Sequence, residues 1–386
     1  MSTPRQRGAI VTLGAAAVPT GRPLKWQTLI WSRQVWIGLL TAIVILIAAI
    51  TSAPGRDFLL PTGISLMVAL AYVNGANDVS KAIATLVGSG VTNYRRAILW
   101  GTLCTGLGSL FSALLASALI GTFTKGFLDT GVQQTELFAL AVLLGAILWV
   151  FLATHTGLPV STTHSITGSL VIVGTFAFGA THIQWSTLLQ KVALPLLLSP
   201  FLSLVLSLLA YLPIRVTLRR TPQTVLNCLY WLSSGTASFA RGLNDTPKIV
   251  ALGVAFYLIT NQSATYQAPF WLFALVSLGM VVGSFVGGGK VTETLAEKVT
   301  RMDHTEGFSA NLTTAILVAG ASNLGLPVST THVSSGAIIG IGVRKGASKI
   351  NWKVVRDMAL AWVVTLPGAG LLGLVCFVVL QVVHGW

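Results

Sequence analysis

The octapeptide GLPVSTTH occurs twice in this chain, at 157–164 and at 325–332, a displacement of 168. A second motif returns at nearly the same interval. NGANDVSK at 74–81 and RGLNDTPK at 241–248 align Asn77 with Asn244, Asp78 with Asp245 and Lys81 with Lys248, a displacement of 167. Two unrelated motifs sharing one offset mean that the chain is a duplicated half, with repeats over 59–212 and 224–386. Each half carries the same incomplete set of polar groups, so one domain of two intertwined halves fits better than two independent ones. Sequence alone leaves open whether the halves run parallel or inverted.

What surrounds these motifs decides their solvent. Only 9% of residues are charged and 53% are hydrophobic, with a mean hydropathy of +0.79, against about 25% charged in an ordinary soluble domain. Apolar runs long enough to cross about 30 Å of hydrocarbon fall near 36–53, 59–74, 97–120, 136–153, 186–212, 269–287 and 357–383. Shorter runs broken by Gly and Thr lie between them. The expectation is an all-α membrane protein of about 10–12 transmembrane or re-entrant helices in two homologous repeats, because an open sheet edge in lipid leaves backbone groups unpaired. A basic tail, 1–34, and an extra span, 35–53, precede the first repeat.

The net charge of +14 is read through the same solvent. Basic residues gather in short connecting segments such as Arg215, Arg219 and Arg220, or Arg344, Lys345 and Lys349, which the positive-inside rule places on the cytoplasmic side. Scattered over loops in this way, they argue against nucleic acid as a partner. A bacterial inner membrane is the favoured location, with an organellar membrane left open by the basic, Ser- and Thr-containing tail. Cys104, Cys228 and Cys376 are too far apart to suggest a disulfide framework or a metal site.

Candidate functional residues follow from cost. Of ten acids, eight fall at segment ends or in polar loops, leaving Asp78 and Asp245 inside apolar stretches, where each costs at least about 2.5 kcal/mol. In LPVSTTH, Pro stops a preceding helix, and Ser161, Thr162, Thr163, Ser329, Thr330 and Thr331 are residue types that cap a new one. A helix start at membrane depth offers free N–H groups, a positive dipole end and hydroxyls, the ingredients of an anion site. The Asn-Asp motifs read the same way: Asn244-Asp245 followed by Thr246-Pro247 predicts a helix start, with Asn77-Asp78 as its twin. Lys81 and Lys248 sit one helical turn after their aspartates and neutralise them, without excluding contact with an anion. For His164 and His332 a hydrogen-bonded packing role is favoured over a proton relay or a metal site, since no third ligand is spaced nearby. Duplicated motifs of this kind in a membrane chain suit a secondary transporter with its site where the repeats meet.

These motifs, with GGGKVTETLAEKVT at 287–300 and AWVVTLPGAG at 361–370, resemble the inorganic phosphate transporter family, the cation-coupled phosphate permeases. The resemblance implies an inverted-repeat fold with a transport core and a scaffold, a homodimer, and phosphate carried by alternating access with H⁺ or Na⁺ and no cofactor. It places substrate on Asn77, Asp78, Asn244, Asp245 and the six Ser and Thr residues, with Na⁺ at the same Asn-Asp pairs. A carboxylate can accept a hydrogen bond from protonated phosphate, which sulfate cannot offer near neutral pH, so phosphate is preferred and a sulfate or other oxyanion permease is the alternative. The usual first motif of the family is GANDVANA, so Ser80 and Lys81 replace Ala and Asn, and Arg241 stands where His is common. A fixed ammonium at Lys81 and Lys248 can take the electrostatic place of Na⁺, which favours H⁺ coupling.

Rival functions fit less well. A hydrolase using Ser161 with His164, or Ser329 with His332, needs one base and one oriented acid rather than two copies. No G-x-x-x-x-G-K-[ST] signature for ATP-driven pumping is present. A channel needs a continuous lined pore, which paired helix breaks and buried acids do not suggest.

Overall fold

A computed structural model describes residues 59–384, apart from 116, 126, 130, 261–267 and 301. The expected tail 1–34 and span 35–53 lie outside the described residues. The described residues are helical nearly throughout: α1 Leu59–Asp78, α2 Ser80–Gly88, α3 Tyr94–Leu115, α4 Ser117–Lys125, α5 Glu136–Thr156, α6 Thr162–Phe178, α7 Trp185–Leu218, α8 Gln223–Thr260, α9 Phe270–Gly287, α10 Gly289–Glu293, α11 His304–Asn323, α12 Thr330–Lys345 and α13 Trp352–His384. Among the described residues the sole extended pairing is one isolated bridge, Leu128 with Ile183. Among the described residues six stretches are long and apolar enough to cross a membrane: Leu59–Gly88, α3, α5, α7, α9 and Trp352–Val383. This is a multi-pass membrane protein.

The duplication is visible element by element. Helices α5, α6 and α7 begin at Glu136, Thr162 and Trp185, and α11, α12 and α13 at His304, Thr330 and Trp352, displacements of 168, 168 and 167. Local signals set these boundaries. Thr135 caps α5 by accepting from Phe138 N, and α11 has a full capping box between Asp303 and Glu306. Both helices stop at a left-handed glycine, Gly157 (φ 77°) and Gly325 (φ 68°), where a side chain would be strained. Leu158 N and Leu326 N then reach back to Ala153 O and Ala321 O, both at 2.9 Å, closing the same C-terminal motif in each half. The Leu-Pro-Val segments that follow are non-helical, and Ser161 and Ser329 open α6 and α12 by accepting from His164 N and His332 N at 3.2 Å. The helix starts expected at STTH are therefore present in both copies.

The Asn-Asp motifs differ from expectation. Helix α8 runs unbroken from Gln223 to Thr260 with Pro247 inside it, and α1 gives way to α2 at Val79, whose backbone stays right-handed helical (φ −58°, ψ −33°). Asn244 and Asn77 therefore lie within helices rather than at their starts. A proline costs one backbone hydrogen bond and a local bend, which surrounding helices can absorb in a membrane bundle.

Packing interleaves the halves. Helix α3 lies on α8 while α9 lies on α1, and α12 lies on α7 while α13 lies on α6. Motif glycines make these approaches close: Gly75 faces the backbone of Met280, and Gly242 faces the backbone of Thr105. Small residues at such crossings replace the hydrophobic drive that lipid cannot supply. A methyl group at either position would meet main-chain atoms that cannot swing aside. Gly75→Ala and Gly242→Ala are each expected to destabilise the bundle by about 1–3 kcal/mol, seen as a lower Tm of the detergent-purified protein.

Candidate functional site

Both aspartates are buried, Asp78 at 1% and Asp245 at 3% relative exposure. Each pairs with the lysine one turn on: Lys81 Nζ donates to Asp78 Oδ1, and Lys248 Nζ to Asp245 Oδ1 at 3.2 Å. The ammonium groups have further oxygen partners. Lys81 donates to Val160 O at 3.1 Å, and Lys248 to Val328 O at 3.0 Å and Thr163 Oγ1 at 2.8 Å. Val160 and Val328 lie in the two Leu-Pro-Val segments, whose non-helical backbone leaves these carbonyls free to accept. Carboxylate, carbonyl and hydroxyl oxygens around one positive centre form a shell that a monovalent cation would also accept.

The halves meet across these groups. Thr330 Oγ1 of α12 donates to Asp78 Oδ2 of α1 at 3.2 Å, and Thr331 Oγ1 donates to Val160 O at 2.6 Å. Thr163 of α6 reaches Lys248 of α8 as above. Thr162 Oγ1 accepts from Asn74 Nδ2 at 2.9 Å, and the same amide lies 3.2 Å from Asp78 Oδ2 and 3.4 Å from Asp245 Oδ2. Asn74 thus spans both carboxylates. Ser161 and Ser329 use an oxygen lone pair for capping and retain an O–H that can donate elsewhere.

Asn77 and Asn244 are turned toward the linkers. Asn77 Nδ2 donates to Leu158 O (3.0 Å) and Thr154 Oγ1 (2.9 Å), while its Oδ1 accepts from Val160 N (3.2 Å). Asn244 Nδ2 donates to Val328 O (3.1 Å) and its Oδ1 accepts from Ser322 Oγ (3.2 Å). These amides fasten the Leu-Pro-Val segments to α1 and α8, and so hold Val160 O and Val328 O against the lysines. The imidazoles of His164 and His332 face each other with centroids 4.7 Å apart. His332 Nδ1 lies 3.0 Å from Leu196 O, and its ring packs 4.2 Å from Trp362. Among the described residues no group of three or more His, Cys, Asp or Glu could hold a metal ion.

The structure adds residues that the sequence reading passed over. Asn74 bridges the carboxylates, and Thr154 and Ser322 hold the two linker asparagines. The last pair was available in the sequence, since both precede GLPVSTTH by the same interval, 168 residues apart. Thr105 and Ser284, which accept from Arg241 Nη2 at 2.8 and 3.2 Å, carry no motif signal. Glu306 is also buried, but it caps the first turn of α11 and pairs with Lys345 at 2.9 Å, away from the centre.

With this geometry in place, comparison with known proteins is direct. The sequence profile of the phosphate transporter family matches residues 74–233 and again 217–373. The chain belongs to the phosphate transporter family. It is 32% identical to the "Probable low-affinity inorganic phosphate transporter" of Rhizobium meliloti, over 79% of this chain and 92% of that one. The protein of the same name from Mycobacterium tuberculosis is 28% identical over 85% of this chain and 79% of its own length. A solved structure, "The sodium-dependent phosphate transporter", superposes with a TM-score of 0.76 at 26% identity, covering 84% of this chain and 99% of that chain.

Breaking one partner of a buried ion pair costs about 3–5 kcal/mol, whereas removing both can be neutral. Lys248→Met is expected to lower the Tm of the purified protein sharply, and Asp245→Asn with Lys248→Met to restore most of it while leaving phosphate uptake abolished.

Proposed function

We propose that the protein is a secondary carrier of inorganic phosphate, working by alternating access at the interface of two inverted halves and coupled to protons rather than sodium. One observation carries the coupling assignment. Lys81 and Lys248 place their ammonium groups against carboxylate and main-chain carbonyl oxygen, joined by a hydroxyl at Lys248, oxygens of the kind that also ligate sodium. The positive charges that balance Asp78 and Asp245 are therefore covalent parts of the chain, and no dissolved metal cation is required to make the centre receptive to an anion.

Phosphate suits the remaining groups. Helix starts α6 and α12 bring first-turn N–H groups and threonine hydroxyls to the centre, and Asp78 and Asp245 can accept from the O–H of a protonated phosphate. Sulfate lacks that proton, which supports phosphate over the sulfate alternative. Sodium coupling is the second reading, favoured by the likeness to a transporter described as sodium-dependent. On that reading Asn77, Asp78, Asn244 and Asp245 hold Na⁺ and the lysines swing aside. The relatives named above are bacterial, which supports a bacterial cell membrane as the site of transport.

The test is radiolabelled phosphate uptake into proteoliposomes with Na⁺ and proton gradients imposed separately. Uptake driven by a proton gradient in choline medium is expected, and uptake only with Na⁺ would overturn the coupling assignment. Lys81→Asn is expected to confer what the wild type lacks, a rise in Tm on adding Na⁺, because Asp78 then needs a cation from solution.

A further inference from the structure

Arg241 is the buried cation left over. The duplication aligns it with Asn74, 167 residues earlier, so one half places a neutral amide where the other places a guanidinium. Its side chain is 2% exposed. Nη2 is anchored on Thr105 of α3 and Ser284 of α9, and Ser284 Oγ in turn donates to Gly75 O at 3.1 Å. Nε and Nη1 have no acceptor among the described residues, nor does Arg241 form an ion pair there. Lys81 and Lys248 each have an aspartate, so the centre holds three cations and two carboxylates, a net charge of +1.

Asn74 supplies the complementary deficit. Its Oδ1 is buried with no donor, while its Nδ2 lies 3.4 Å from Asp245 Oδ2, one turn along α8 from Arg241. Ser284 Oγ, which accepts from Arg241, donates to Gly75 O beside Asn74, so the guanidinium reaches the same part of α1 as the amide. Donors without acceptors and an acceptor without a donor, fully buried and linked through Ser284 and the Gly75 carbonyl beside Asn74, are costly to leave unmet. A single ligand that meets both and also balances the charge of the centre is an anion that carries a hydroxyl.

We propose that Arg241 and Asn74 form a subsite for a protonated oxyanion, Arg241 donating from Nε or Nη1 to an anionic oxygen and Asn74 Oδ1 accepting from the ligand's O–H. This rests on reading the chain as a phosphate carrier and assigns to two non-equivalent positions the choice of a singly charged, protonated form. Dihydrogen phosphate has both features and brings the centre to neutrality. Sulfate meets the arginine and leaves Asn74 unsatisfied.

The experiment uses the full chain in proteoliposomes for uptake and in detergent for thermal shift, with phosphate, arsenate and sulfate as probes. Arg241→Gln and Arg241→Met are expected to raise the KM for phosphate about tenfold or more, to lose the Tm increase that phosphate gives the wild type, and to keep or raise the Tm measured without ligand. Asn74→Leu is expected to narrow the preference for phosphate over sulfate. Wild-type KM and phosphate shift in either arginine variant would overturn the proposal, as would failure of both to fold, which would make Arg241 structural. A wild type that neither transports nor is stabilised by phosphate would sink the functional reading instead. In that case stabilisation by sulfate, lost on Arg241→Gln, would retain the arginine as an anion ligand and remove the role given to Asn74.

Discussion

Two carboxylates buried inside a membrane bundle set the terms for the rest of this structure. Left alone, Asp78 and Asp245 would make the folded state untenable, because hydrocarbon offers nothing to replace their hydration. The chain answers with Lys81 and Lys248, but an ammonium has three donors and one carboxylate does not satisfy them. Val160 O and Val328 O supply the next acceptors, and they are free only because Pro159 and Pro327 sit in non-helical linkers between α5 and α6 and between α11 and α12. The linkers need fastening in turn, which Asn77 and Asn244 provide. The Asn-Asp-x-x-Lys and Leu-Pro-Val-Ser-Thr-Thr motifs are thus two parts of one device, each leaving buried groups unmet without the other.

Assembling that device twice forces the halves to interpenetrate. Thr330 of the second half serves Asp78 of the first, and Thr163 of the first serves Lys248 of the second. Each half pairs its own charges but takes a further hydroxyl partner for them from the other. The same reciprocity appears in the glycine contacts, where Gly108 meets the backbone of Phe239 and Gly283 that of Tyr72, equivalent approaches made once from each side. In lipid, close backbone contact and shared polar partners take over the role that hydrophobic burial has in water.

Much of this was legible in the sequence because it was written twice. The offset shared by two motifs, the proline stops before Ser161 and Ser329, the caps at those serines and the cost of an acid in an apolar run all pointed to the same centre. The misreading at Asn244 has a physical reason: Asp-Thr-Pro looks the same locally whether proline opens a helix or lies within one. What decides is whether neighbouring helices compensate the lost hydrogen bond, which is a tertiary fact. Arg241 was marked as a departure from the family motif, whereas Asn74 was obscured for the opposite reason. A search for repetition finds what the halves share and passes over the position where they differ.

That difference gives the site its direction in charge. Each Asp-Lys pair contributes no net charge, so two-fold repetition alone would produce a neutral centre with little attraction for an anion at depth. A single guanidinium, replaced by an amide in the other half, adds one positive charge and anchors it through Thr105 and Ser284 on helices outside the two motifs. On the proposed reading, a centre at +1 becomes neutral when it takes up a monoanion, and the loaded carrier then moves no net charge through the low-dielectric part of the membrane, where moving charge is most costly. The empty carrier retains the +1, so its return would be the step that feels the membrane potential. On that reading the repeated motifs build the centre, and the unmatched arginine sets the charge state of the anion that neutralises it.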